Sequence, residues 1–94
     1  MAKIINVPEH MIKYIYKQRE YLGGLQILFK FPNGYGASVI NHNHSYDLEL
    51  AVLDSAGHIT YDTPITNDIL GHLDDASLEQ ALIDVMSLEA DNNG

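Results

Sequence analysis

The chain has 94 residues, 46% of them apolar, and sets five Lys and Arg against thirteen Asp and Glu for a formal charge of −8. A single domain of this size folds alone but keeps little interior for a deep pocket, which excludes a large multi-substrate enzyme. It has no cysteine, hence no disulfide framework, thiolate zinc site or thiol nucleophile; with neither an apolar run of ~18 residues nor a secretion signal, the expected location is the cytoplasm.

Asn6 followed by Glu9 resembles a capping box, and Pro8 is tolerated in a first turn, so the pattern predicts a helix over 7–22. Met11, Tyr14, Ile15, Gln18, Tyr21 and Leu22 form its inward side, with Glu9, Lys13, Lys17 and Glu20 outward, and Gly23-Gly24 ends it. From Leu25 the period changes to two, with Leu25, Ile27, Phe29 and Phe31 on one face. Asn33-Gly34 predicts a two-residue type I′ hairpin that sets Phe31 opposite Gly36, Phe29 opposite Ser38 and Ile27 opposite Ile40. A third strand over 48–53 turns through a four-residue loop, Asp54 to Gly57, into a fourth over 58–63, pairing Val52 with Ile59 and Leu50 with Tyr61.

Pro64 ends that ladder, and Thr66-Asn67-Asp68 offers caps for a short helical turn through Ile69, Leu70 and Leu73. Asp74 or Asp75 then caps a final helix whose buried stripe is Leu78, Ala81, Leu82, Val85 and Leu88, and residues 90–94 are expected to fray. The expected architecture is α+β in a single domain spanning 1–94: an N-terminal helix, a four-stranded antiparallel meander, a short helical turn and a C-terminal helix. On the second face of this sheet fall Leu28, Ala37, Val39, Ala51 and Leu53 beside Gln26, Lys30, Asn41 and Glu49. That face is too apolar for open water, so either a helix covers it or it is a dimer or partner surface, and a homodimer is expected.

Charge is segregated along the chain. Lys3, Lys13, Lys17, Arg19 and Lys30 all lie in the first thirty residues with only Glu9 and Glu20, and the remainder has carboxylates but no Lys or Arg. The overall charge works against direct binding of DNA or RNA, whereas an acidic surface suits a basic, nucleic-acid-binding protein.

Candidates for chemistry are sparse. His42 and His44, two apart, could share a metal ion with Asp47, but no second ligand spacing supports them and no metal is expected. His58, His72, Asp62 and Asp68 could supply acid–base chemistry, yet there is no serine elbow, phosphate loop or downstream cation to complete a site. The chain is therefore expected not to be an enzyme and to need no cofactor. The glycine-rich run 31–36 is explained by its turn, and of six tyrosines Tyr16 and Tyr35 fall where they would be exposed for recognition.

Within residues 29–73, the segments Asn33-Gly34-Tyr35-Gly36-Ala37-Ser38-Val39, Glu49 to Leu53 and Ile59 to Thr66 resemble a family of small proteins carried by bacteriophages and prophages. The resemblance implies a phage-type accessory protein, similar in character to inhibitors of host defence such as anti-CRISPR proteins. Its expected partner is a host or phage protein, engaged through Asp68, Asp74, Asp75, Glu79 and Asp84 together with Tyr16 and Tyr35. A second expectation is an oligomeric sponge for a nucleotide immune signal, with Lys13, Lys17 and Arg19 meeting its phosphates.

Overall fold

The computed structural model describes residues 5–21, 23–41, 48–60, 63 and 70–88. A 3₁₀ turn, Glu9–Tyr14, leads into strands β1 (Ile15–Tyr21), β2 (Gly24–Lys30), β3 (Gly36–Asn41), β4 (Leu48–Leu53) and β5 (Leu70–Leu73), and the helix α1 (Asp75–Met86) follows. The five strands form one antiparallel sheet in the order β1-β2-β3-β4-β5. An antiparallel sheet with a C-terminal helix is thus present, but an N-terminal helix and a four-stranded sheet are not.

The N-terminal helix over 7–22 is replaced by the 3₁₀ turn and β1. Gly23, at φ 78°, lies in the hairpin turn that folds Tyr21 back against Gly24, where the sequence reading had a helix terminus. Asn6 caps nothing at its own end: its amide donates to Asp75 at the start of α1, and the 3₁₀ turn has Pro8 as its cap residue without a side-chain bond. As a strand the segment pairs with β2 from Gly24 to Phe29, whose edge it covers, while Tyr14 and Ile15 still reach the core. Met11 is buried as expected, and Tyr14 and Ile15 pack against the core, whereas Gln18 is exposed.

Both hairpin tips carry three-residue loops, so both expected registers are out by one residue. At the first, Gly34 N–H donates to the Phe31 carbonyl and Phe31 N–H to the Tyr35 carbonyl, with Gly34 at φ 94°. Pro32 decides the outcome. A two-residue loop would place it in the ladder, where it has no N–H to give, whereas its fixed φ suits the second position of a type I turn. The tip over 54–58 repeats the geometry, with Gly57 at φ 86° and Asp54 Oδ1 accepting the amides of Ala56 and His58. Both glycines supply the left-handed residue that closes such a loop.

The resulting pairs are Ile27 with Val39, Phe29 with Ala37, and Val39 with Leu50. Ala37 and Val39, expected on the second face, therefore join Ile27, Phe29, Leu50 and Val52 in the core beneath Leu78, Leu82 and Val85. A shift of one residue exchanges the two faces of a strand. On the second face, Ala51 and Leu53 are each only 5% exposed within the single chain.

Ile59 bridges Leu53 and Thr60 N–H donates to the Val52 carbonyl, so the expected fourth strand is met only by this short contact. Its continuation at 61–62, and the caps at 66–68, lie outside the described residues. Leu70 and Leu73, expected on a helical turn, instead form β5 against Leu50 and Leu48. A register irregularity lets two leucines three apart both pack against the core, which a regular strand would not permit. The C-terminal helix starts at the expected cap, Asp74, and buries Leu78, Ala81, Leu82 and Val85, with Leu88 half-buried beyond its end.

Candidate interaction surfaces

The acidic side chains of α1 have distinct local surroundings. Asp74 Oδ1 accepts the Ser77 amide at 2.7 Å, and this bond, followed by the Ser77 hydroxyl, holds its carboxyl below the usual carboxylate range. Asp75 accepts from the Asn6 amide at 3.1 Å, Glu79 meets the His10 ring at 2.8 Å, and Asp84 accepts from Gln80 at 2.8 Å. The helical period puts Asp75 and Glu79 on the flank beside residues 6–10 and Asp84 near the opposite flank. The expected acidic face is therefore divided between two sides of α1, and Asp68 lies outside the described residues.

Tyr16 and Tyr35 do come together. Tyr16 occupies the register shift in β1 and is 54% exposed, while Tyr35 closes the first hairpin tip. They line an open cleft of about 320 Å³ between the two tips, with Lys30 and Leu53 contributing to its wall. Asn33 fixes this end of the sheet to α1: its side-chain amide is 2.8 Å from the Val85 carbonyl and 3.1 Å from those of Met86 and Leu88, while its Oδ1 accepts Tyr35 N–H. Tyr35 thus lies at the tip held to the C-terminal end of the helix, whereas Asp74, Asp75 and Glu79 lie in its N-terminal part. Sequence reasoning missed the role of Asn33, because a turn asparagine carries no local sign of a helix 52 residues later.

The basic residues are distributed on the sheet side. Lys17 and Arg19 extend from the second face of β1, and Lys30 from the same face of β2. Arg19 donates to Gln26, which donates in turn to the hydroxyl of Ser38, so a buried polar chain holds the guanidinium in place. Lys13 is separate, with its ammonium 5.3 Å from the centre of the Tyr14 ring. The sheet places this cationic face away from the helix carboxylates, although Glu49 lies on the cationic face and Glu20 on the helix side.

His42, His44, Asp47, Asp62 and Asp68 lie outside the described residues, as does the side chain of His72; His58 is exposed. Among the described residues no three histidine, cysteine or carboxylate side chains cluster as metal ligands. No described helix is long and apolar enough to cross a membrane. Comparison with protein-family models, curated proteins and solved structures returns no match.

Proposed function

We propose that the chain works by binding another protein that presents basic side chains to α1. The observation that carries this reading is Asp84. It sits in the last turn of α1, where negative charge opposes the helix dipole and where that turn holds no basic residue, and it accepts a hydrogen bond from the neutral Gln80. A carboxylate that works against its own helix is well suited to an external cation. Asp75 and Glu79 add to the negative potential, since their partners are Asn6 and His10 and no Lys or Arg is bound to them among the described residues. Opposite potentials accelerate association and make it sensitive to salt.

The finer reading is a phage-type accessory protein acting in the bacterial cytoplasm on a basic, nucleic-acid-binding host defence effector. It rests on the resemblance carried by residues 33–39, 49–53 and 59–66. The nucleotide-sponge reading has less support, because Lys13 lies beside the Tyr14 ring and stands apart from Lys17 and Arg19 on β1. Self-association through the second sheet face would rest on the half-buried Leu28 and Ile40, as Ala51 and Leu53 are already covered.

The test is affinity capture at 50 and 500 mM salt with the native chain and with Asp75→Asn, Glu79→Gln, Asp84→Asn combined, Asp74 being left intact as the cap. The expected partner binds at low salt, is released at high salt and is lost with the triple variant. Asp84→Asn alone should raise Tm slightly while weakening capture. A partner retained equally by native and triple variant, or no partner at low salt, overturns the reading.

A further inference from the structure

β1 is a second candidate surface, independent of the one on α1. As the first strand of the sheet, it pairs among the described residues with β2 alone, and one row of its backbone N–H and C=O groups faces away from the sheet. The register shift lies at its start, so Lys17 to Tyr21 run in regular register against Leu28 to Gly24. On one face of this edge stand Lys17 and Arg19, opposite Leu28 and Gln26 with no carboxylate across from them. On the other, an open groove of about 820 Å³ separates the β1–β2 hairpin from the N-terminal segment. Val7, Ile12, Ile15 and Leu25 give it apolar walls beside Gln18 and Glu20 of β1 itself, and Ile12 is 53% exposed.

We infer that the outer edge of β1, unpaired among the described residues, accepts as a further strand an extended segment of another protein in which acidic and apolar residues alternate. Side chains of an added strand alternate between faces, so one set meets Lys17 and Arg19 while the other turns toward the groove. Main-chain bonds would supply affinity and the two faces would supply specificity. A second copy of this chain is a poor occupant. Antiparallel pairing of β1 about a two-fold at Gln18 sets Lys17 against Arg19 of the copy, and two-folds at Lys17 or Arg19 set like residues together. The cations that keep two copies apart attract an acidic strand.

The probe is a labelled, end-capped seven-residue peptide alternating Val and Glu, with an alternating Val and Lys peptide as control, titrated into the full chain at low salt. The Val–Glu peptide should bind saturably, shift the amide resonances of residues 17–21, and outcompete the Val–Lys peptide. Lys17→Glu should weaken it roughly tenfold, with an unchanged circular dichroism spectrum showing that this exposed change leaves the fold intact. Methylating the backbone nitrogens of the Val residues in one peptide and the Glu residues in another should abolish binding in only one of the two, because alternate residues point their N–H groups toward β1. The inference is overturned if the peptide does not bind at millimolar concentration, if both charge types bind equally, or if the two methylated peptides behave alike. Since α1 takes no part in this test, its failure leaves the reading of the acidic helix to its own experiment.

Discussion

Asp74 shows how one carboxylate links the start of a helix to solution pH. Its carboxyl is held below the ordinary value of 3.8 because the ionised form accepts the Ser77 amide. Its stabilising contribution is therefore present above that value and fades as pH falls through the lower folded value. Asp74→Asn, which keeps a capping oxygen without the charge, should flatten the acid limb of a Tm-against-pH curve, and Asp74→Ala should lower Tm at neutral pH. Gly36 makes a different point about a single residue. A Cβ there would run into the Phe29 carbonyl oxygen across the hairpin, and backbone in a paired strand cannot yield. Gly36→Ala should cost about 1–3 kcal/mol in denaturant unfolding. Gly57→Ala meets nothing nearby and is penalised only by its φ of 86°, at about 1–2 kcal/mol.

The hairpin tips and α1 are coupled through Asn33. No basic residue lies in the last turn of α1, and the Asn33 amide supplies hydrogen-bond donors to the carbonyls there. Asn33→Ala should cost about 1–2 kcal/mol, because it removes the side-chain donor shared by those carbonyls, of which that of Val85 also accepts the Leu88 N–H. Asn33→Asp should be worse at neutral pH, where a carboxylate would face carbonyl oxygens, and should recover in part when acidified; parallel denaturation curves at pH 7 and pH 4 decide it. The turn chemistry of this element was present in the sequence. Pro32 at the second position and Gly34 at the fourth fit a type I turn, and the missing N–H of Pro32 outweighs the preference of Asn-Gly for a two-residue loop. For β1, local pattern was insufficient: Ile15, Gln18 and Leu22 satisfy a helical period, while the residues of 15–21 also suit a strand.

At the scale of the whole molecule, the sheet has one face under α1 and another that is apolar at Ala51 and Leu53 yet already covered in the single chain. Leu53→Glu should therefore destabilise the protein, by about 2 kcal/mol or more, because it removes a leucine that is only 5% exposed from its packing and puts a carboxylate in its place. Sedimentation and thermal denaturation together read this out: a stable variant that only dissociates a native dimer would show the face to be shared between copies. The division of charge is a property of this same scale. β1 and β2 bring Lys17, Arg19 and Lys30 to one side of the sheet, and α1 carries Asp75, Glu79 and Asp84 on the other. The linear separation of charge in the chain was legible beforehand, but its expression as a basic strand edge was not.

Local chemistry by itself determined the C-terminal helix with its Asp74 cap and buried stripe, the strands at β2, β3 and β4, and the positions of both glycine-closed turns. These depend on interactions within a few residues: a capping bond, a period of two or 3.6, a left-handed corner. Whereas the register at the first tip follows from Pro32, tertiary structure decided the fate of 7–22 and the conversion of Leu70–Leu73 into an edge strand. Each was a choice between local conformations of similar energy. Long-range terms settled these choices: β1 pairs along the edge of β2, and β5 along that of β4.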